Sequence, residues 1–149
     1  MKLVDILSLD CTLCAASGKS KKNILAQISK LAAAQIPNVS EKELLVSLMS
    51  REKLSSTGIG KGIAIPHGRL NNTNQVVAVL VTNQVAIEFD AIDDQPVDIF
   101  FAIFVPADHC QQHLETLANI AEFFSHKETC KKVRKCNSSE QLYQLVTNT

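Results

Sequence analysis

Residues 55–69, SSTGIGKGIAIPHGR, are the stretch of this chain that decides the fold. Four of the chain's five glycines lie within it, between Gly58 and Gly68. Glycines this close together indicate backbone at positive φ, or backbone that comes close to a ligand. Successive N–H groups in such a loop can form a concave site for an anion. The stretch therefore predicts an anion-binding loop.

A short apolar run, Ile63–Ile65, follows the glycines and predicts a strand. Pro66 favours extended geometry in the residue before it and cannot donate in a central ladder, so the strand is expected to end there. His67 then lies at the exit of the strand, next to the glycine loop. A tight turn that only happens to contain a histidine is the alternative interpretation.

Composition limits the class of protein. The chain has 149 residues, with 15 Lys+Arg balanced by 15 Asp+Glu. This length is typical of one domain, 1–149, and the balanced charge gives no indication of nucleic-acid binding. We find no apolar run of membrane-spanning length and no signal-peptide layout at the N-terminus, so no membrane insertion is expected. Five cysteines without an export signal indicate reduced thiols in a cytoplasmic protein.

Periodicity and capping residues predict the elements around the loop. An opening strand or turn to about Ala16 leads into a helix capped by Ser20, and a capping box of Ser40 and Glu43 opens a second helix that ends near Glu52. That helix brings Arg51 to the edge of the glycine loop. Three strands are predicted after the loop, at Val76–Thr82, Ile87–Asp90 and Val97–Val105. Three helices follow: one from about Gln111, one capped by Ser125 and Glu128, and a last one opened by Ser138 and Gln141.

The predicted inward residues complete the fold class. Leu114, Leu117, Ala121 and Phe124 share one helix face, and Cys130 with Val133 point inward from the next helix. Helices, then strands, then helices, with one long apolar strand in the middle, favour an α/β fold. We expect a single domain with a mixed sheet and helices on both faces.

Three alternative sites receive little support from the residues. Gly18-Lys19-Ser20 resembles the end of a P-loop, but Leu13 stands where the first glycine is needed. The spacing of Cys11 and Cys14 is that of a redox or zinc half-site, which Cys110 and His113 would complete; reduced thiols are the simpler interpretation. No Gly-x-Ser-x-Gly elbow supports serine hydrolysis.

Two charged segments are interpreted as solvated. The carboxylates of Asp93, Asp94 and Asp98 lie in and beside a predicted turn. The basic run 127–135 is typical of the wet face of a helix, with a docking surface as the minority alternative. Neither segment predicts chemistry.

His67, His113, Arg51 and the glycine loop together form a coherent phosphoryl-transfer site. A neutral imidazole is a good nitrogen nucleophile at pH 7. An arginine and oriented N–H groups can hold the oxygens of the transferring group. The second histidine can bind a phosphoryl oxygen or hold the first ring. That His113 reaches His67 is a hypothesis at this point, because spacing alone does not show it.

Several motifs are similar to one known family. They are Arg51-Glu52-Lys53, Ser56-Thr57-Gly58-Ile59-Gly60, 62–68 (GIAIPHG), 89–93 (FDAID), 95–98 (QPVD), 105–107 (VPA) and His113-Leu114-x-Thr116-Leu117. This pattern, from about Ser20 to Val146, resembles the enzyme IIA component of the bacterial phosphoenolpyruvate-dependent phosphotransferase system. The type is fructose–mannitol, and the branch is the nitrogen-related regulatory one.

The resemblance implies a mixed sheet of about five strands flanked by helices. It implies that His67 is the phosphoryl acceptor, with the phosphate expected on the Nε2 (tele) nitrogen. His113 is then the supporting histidine and Arg51 stabilises the phosphoryl group. The resemblance implies no metal or cofactor. The glycine loop itself, read from its residues, assigns Thr57, Gly58, Gly60 and Gly62 to a phosphate loop.

The resemblance also implies partners. The phosphoryl donor is a histidine-phosphorylated HPr-like carrier, and the phosphorylation state is read by regulatory targets such as potassium-transport regulators or sensor kinases. The activity expected is that of a phosphotransferase component that signals. Two alternatives remain at this point: a sugar-transport IIA component of the fructose–mannitol type, and a non-catalytic regulatory binding module with the same fold.

Overall fold

The computed structural model describes residues 2–71 and 73–148, without the side chains of His109, Cys110 and Gln112. The helices are α1 Leu3–Ile6, α2 Lys21–Ala33, α3 Glu41–Leu54, α4 Leu114–Ser125, α5 Lys127–Arg134 and α6 Ser139–Thr147, with a 3-10 helix at Ala107–His113. The strands are β1 Leu7–Ala16, β2 Gly58–Gly60, β3 Ile63–Ala64, β4 His67–Leu70, β5 Val77–Ile87 and β6 Val97–Pro106.

The sheet is mixed and open, in the order β1-β5-β6-β3-β2. β1 is parallel to β5, whereas β5 and β6 are antiparallel. β3 and β4 both run parallel to β6, one after the other along its length, and β2 is antiparallel to β3. The α/β fold with a mixed sheet is confirmed, with six strands in place of about five.

β6 forms the centre of the core. Its ten residues are buried except Asp98, and the side chains of Phe100, Phe101 and Phe104 have no exposed surface. A strand buried on both faces is expected to be an almost continuous apolar run. One group of helices, α2 and α3, packs on β5 and β4, and the other group, α4 to α6, reaches the sheet through α6 on β1. Helices therefore cover both faces, as predicted.

Three of the predicted helix starts are confirmed by their caps. The hydroxyls of Ser20, Ser40 and Ser138 each accept a hydrogen bond from the N–H three residues on. Such a cap satisfies one of the N–H groups that a helix leaves unpaired at its start. The opening strand is also confirmed, as β1, and α3 runs two residues beyond the predicted end.

Three local predictions are wrong, and one strand was not predicted. A separate strand over 87–90 does not form, because β5 continues to Ile87 and the chain then leaves the sheet. His67 follows β3 as predicted, but it also opens a further strand, β4, which continues beside β6 and was not predicted. Ser125 does not cap α5, since its hydroxyl donates to the Glu122 carbonyl. Leu114 is 56% exposed, and Thr116, Ile120 and Phe124 are the buried residues of α4.

Among the helices within the described ranges, none has the length and apolarity that crossing a bilayer requires.

Candidate functional site

His67 lies where the chain crosses from β3 to β4. Pro66, just before it, cannot donate a hydrogen bond, but its carbonyl accepts one from the Ile103 N–H at 3.0 Å. The chain therefore stays attached to β6 across the interruption, and the register resumes with His67 opposite Ile103. His67 is therefore carried on a strand that is hydrogen-bonded to the central strand β6.

The two ring nitrogens of His67 have different partners. Nδ1 lies 3.0 Å from the Ile65 carbonyl oxygen, and Nε2 lies 3.0 Å from Nε of Arg51. A guanidinium N–H can only donate, so Nε2 must be the acceptor. A carbonyl can only accept, so Nδ1 carries the proton. The two contacts together assign one neutral tautomer, with its lone pair on Nε2.

The surroundings of His67 also keep the ring neutral. Burial lowers the pKa of His67, and the hydrogen bond to the Ile65 carbonyl partly opposes this by raising it. Smaller effects on the same pKa come from Arg51 and Arg69, which lower it, and from Glu52, which raises it. Together these effects lower the pKa of His67 below the ordinary 6.5, so the imidazole is uncharged at neutral pH.

Arg51 is held in place from two sides. It lies in the last turn of α3, and its Nη1 donates to the Ser55 carbonyl at 2.8 Å. α3 is tied to β4 by the Ser47 hydroxyl, which accepts from the Arg69 N–H at 2.8 Å and donates to the Arg69 carbonyl at 3.2 Å. This close approach requires Gly68, where a Cβ atom would lie 2.8 Å from the Ser47 hydroxyl oxygen. The helix therefore delivers Arg51 directly to the His67 ring.

His113 ends the 3-10 helix that follows β6 and lines the same cleft as His67 and Arg51. The cleft has a volume of about 1140 Å³. His113 is only 9% exposed, and its Nδ1 is buried without a hydrogen-bond partner among the described residues. An unpaired buried polar atom is unfavourable and commonly marks a functional position. The structure therefore brings His67, Arg51 and His113 together, as the sequence-based hypothesis required.

The glycine loop lies elsewhere, and none of the four residues assigned to a phosphate loop lines the cleft. The N–H of Thr57 donates to Glu52, the N–H of Gly58 donates to the Ser56 hydroxyl, and the N–H of Lys61 donates to Asp93. These N–H groups are consumed within the protein, so they do not form a free anion site. We therefore do not carry the phosphate-loop assignment of Thr57, Gly58, Gly60 and Gly62 into the proposed site.

The glycines instead allow the tight turn between β2 and β3. Gly60 and Gly62 have φ of +98° and +80°, in the left-handed region that side chains disfavour. A Cβ at Gly62 would lie 2.5 Å from Nη2 of Arg134. Arg134 in turn holds the turn closed by donating to the Lys61 carbonyl and pairing with Asp98. Asp98 and Arg134 are therefore not simply solvated, as the sequence interpretation had them.

Sequence reasoning missed a buried carboxylate next to Arg51. The Glu52 side chain is 3% exposed and lies 3.0 Å from Nζ of Lys21. It accepts hydrogen bonds from both the N–H and the hydroxyl of Thr57. The periodicity of α3 does place Glu52 on the buried face, four residues after Leu48 and eight after Leu44. It does not show the partners of Glu52, which come from α2 and from the loop.

The alternative of a redox or zinc half-site at Cys11 and Cys14 is not supported by their contacts. Sγ of Cys11 donates to the Leu31 carbonyl in the core, and Sγ of Cys14 donates to the Cys136 carbonyl. Burial raises the pKa of the Cys11 thiol, which disfavours the thiolate that binds metal. Among the described side chains no three potential ligands gather, and the side chain of Cys110, part of the zinc alternative, lies outside them.

The comparisons with known proteins identify the family of the chain. A family model described as "Phosphoenolpyruvate-dependent sugar phosphotransferase system, EIIA 2" matches residues 5–149. The chain belongs to this EIIA 2 family. Within it, the "Nitrogen regulatory protein" of Escherichia coli (strain K12) is 43% identical over 150 residues, covering all of this chain and 91% of that protein. The chain is thus grouped with the nitrogen-regulatory IIA proteins.

Solved structures give the same grouping. The nitrogen regulatory protein IIA-Ntr of Neisseria meningitidis superposes with a TM-score of 0.90 at 31% identity, covering 96% of this chain and 97% of that one. The mannitol IIA of Escherichia coli superposes with a TM-score of 0.76 at 14% identity, covering 93% of this chain and 97% of that one. The second likeness shows that the EIIA 2 fold is shared.

Proposed function

We propose that the chain is a phosphohistidine relay of the nitrogen-related phosphotransferase system, which accepts a phosphoryl group on Nε2 of His67. The observation that carries the proposal is the pair of contacts on the ring. The Ile65 carbonyl holds the Nδ1 proton, and Nε2 keeps its lone pair at the cleft beside Arg51. A neutral imidazole with a fixed tautomer is a competent nucleophile at neutral pH.

The donor is a histidine-phosphorylated HPr-like carrier. The Nε2 lone pair of His67 attacks phosphorus, a new N–P bond forms, and the N–P bond to the carrier's imidazole breaks, with its electron pair returning to the carrier. The proton on Nδ1 stays in place throughout, because the Ile65 carbonyl holds it. The charge of the transition state is stabilised by the protein's own groups.

Arg51 and His113 supply that stabilisation. The Nε–H of Arg51 already points at the acceptor nitrogen at 3.0 Å and moves to a phosphoryl oxygen once the bond forms. His113 lines the same cleft with hydrogen-bonding capacity that no described residue uses. Hydrogen bonds from charged or polar donors to phosphoryl oxygens are short and strong.

The phosphorylation state is the signal. Large apolar side chains line the cleft and are exposed: Val46 by 56%, Leu54 by 82% and Leu114 by 56%. A phosphoryl dianion placed among them changes which partners this surface can accept. The readers are regulatory proteins such as potassium-transport regulators or sensor kinases, as the family resemblance implies. The relatives' name, "Nitrogen regulatory protein", supports a regulatory role.

Phosphoryl transfer from a carrier tests the proposal. The purified chain is incubated with a phosphorylated HPr-like protein, and acid-labile phosphate is mapped by mass spectrometry. We expect phosphate on His67 in the wild type and none in His67→Ala. His126→Ala, at an exposed histidine, is the matched control and is expected to be labelled normally. An unlabelled wild type, or label that persists in His67→Ala, would contradict the proposal and favour a non-catalytic binding module.

A further inference from the structure

Glu52 lies beneath the reacting histidine without contacting it. Its carboxylate is buried between α2, α3 and the loop before β2, where it accepts from Nζ of Lys21 at 3.0 Å and from the Thr57 N–H at 3.1 Å. The Thr57 hydroxyl donates to its other oxygen. A buried carboxylate with three donors is fixed in position, and so are the groups that donate to it.

A continuous series of hydrogen bonds leads from Glu52 to the His67 ring. The Thr57 carbonyl accepts from the Ile65 N–H at 3.0 Å, and the Ile65 carbonyl lies 3.0 Å from Nδ1 of His67. Glu52 therefore fixes Thr57, Thr57 fixes Ile65, and Ile65 holds the Nδ1 proton. Each bond in such a chain polarises the next.

Glu52 also acts on the other side of the ring. It follows Arg51 in the last turn of α3, so the contacts that anchor Glu52 also fix that turn against the loop. The Nε–H of Arg51 then meets Nε2 of His67. Both nitrogens of the ring are thus positioned by groups that depend on one carboxylate.

The charge of Glu52 matters as well as its hydrogen bonds. The charged groups that act on the ring are Arg51 and Glu52 from α3 and Arg69 from β4. The other titratable groups that line the cleft are Lys42, Glu43 and His113. The two arginines lower the pKa of His67, after the larger effect of burial, and Glu52 raises it. When Nε2 donates its electron pair to phosphorus, the ring gains positive charge, which Glu52 stabilises.

We propose that Glu52 is a positioning residue for phosphoryl transfer, which holds Nδ1 of His67 through Thr57 and Ile65 and holds Arg51 against Nε2. The inference rests on the proposed function of His67. Stability alone does not explain why a glutamate is buried at this position, because buried ion pairs are often no more stabilising than well-packed apolar residues.

Glu52→Gln tests the inference, since glutamine keeps the size and one acceptor oxygen but removes the charge. Glu41→Gln, at an exposed position in the first turn of the same helix, is the matched control. The pH titration of the His67 ring is followed by NMR, and the rate of phosphoryl transfer from the carrier is measured. We expect a lower His67 pKa and a rate reduced by up to about 100-fold in Glu52→Gln, as a misplaced catalytic group can produce. Glu41→Gln changes neither.

The outcomes separate this inference from the proposed function. A wild type that accepts no phosphate overturns the proposed function, whereas the ring titration still tests the role of Glu52. An unchanged ring titration in folded Glu52→Gln overturns the inference, even if the rate falls, because the effect is then structural only. If Glu52→Gln does not fold, Thr57→Val, which removes only the hydroxyl contact, takes its place. A wild-type transfer rate and an unchanged Nδ1 signal in Thr57→Val would then overturn the inference.

Discussion

The histidine cleft and the glycine turn at 58–62 are adjacent in sequence, yet their polar groups are used in opposite ways. In and just before the turn, the N–H groups of Thr57, Gly58 and Lys61 are all hydrogen-bonded within the protein. In the cleft, Nδ1 of His113 is buried without a partner among the described residues, and Arg51 donates to a nitrogen that can react. The difference supports assigning the turn to the maintenance of the fold and, in the proposed function, the chemistry to the cleft.

The largest expected effect is that of Arg51→Met in the cleft. Methionine keeps much of the volume but removes the donor beside Nε2, and the loss of one such donor costs roughly 100- to 1000-fold in rate. We expect that decrease in phosphoryl transfer, with the free energy of unfolding changed by less than about 1 kcal/mol. The exposed Lys53→Met in the same helical turn is the control and should transfer normally. A normal rate in Arg51→Met would remove Arg51 from the site.

His113→Gln should have the next largest effect. A hydrogen bond to a charged group contributes about 1.5–3 kcal/mol, which corresponds to roughly 10- to 100-fold in rate. We expect a decrease of that size in transfer to His67, measured by single-turnover labelling. The matched change His126→Gln, on an exposed ring, should leave the rate unchanged. If the two variants behave alike, His113 does not bind the phosphoryl group.

Gly62→Ala in the turn should lower stability and leave the transfer rate nearly unchanged, which is the reverse of the result expected for the cleft variants. A side chain at φ +80° costs about 1–2 kcal/mol, and the new Cβ would displace Arg134 from Asp98. We expect the free energy of unfolding in urea to fall by about 1–3 kcal/mol, while the transfer rate stays within about twofold. Lys61→Gly, at φ +59° in the same turn, should change stability by less than about 0.5 kcal/mol. A large loss of transfer in folded Gly62→Ala would place the turn in the reaction.

The smallest effect expected is a shift in the titration of the His67 ring. Because burial lowers the pKa of His67 below 6.5, the ring stays neutral and reactive when the pH falls to 6.5. Arg51 also lowers that pKa, so Arg51→Met should raise it. The lowered pKa means that the unfolded chain binds the proton first, so the contribution of His67 to stability is present above pH 6.5 and is lost as the pH falls through the folded pKa. NMR titration of the His67 ring in the wild type and in Arg51→Met checks both expected shifts. A pKa above 6.5 in the folded wild type would contradict the account.

Local sequence signals predicted the parts of the fold that depend on local chemistry. Serine caps, the long apolar strand and the turn glycines each act through neighbouring residues, and these elements are present. β4 was missed because Pro66 was taken as the end of a strand, whereas its carbonyl keeps the chain on β6. That contact depends on Ile103, which is distant in sequence.

The prediction of the site was limited in the same way, because contacts between residues distant in sequence are not visible in local patterns. His67, Arg51 and His113 were found because their chemistry is visible in the residue types, and the family pattern places them. The phosphate-loop assignment assumed that the N–H groups of the loop are free, but those of Thr57, Gly58 and Lys61 donate to side chains of the protein. Only the three-dimensional structure shows which donors are already paired.

The most direct test of the central claim is the position of phosphate on the His67 ring. The phosphorylated chain, labelled with ¹⁵N in its histidines, is studied by NMR to show which ring nitrogen is bonded to phosphorus. The account predicts phosphate on Nε2, with Nδ1 still protonated against the Ile65 carbonyl. Phosphate on Nδ1 of His67, or on any other residue, would contradict it.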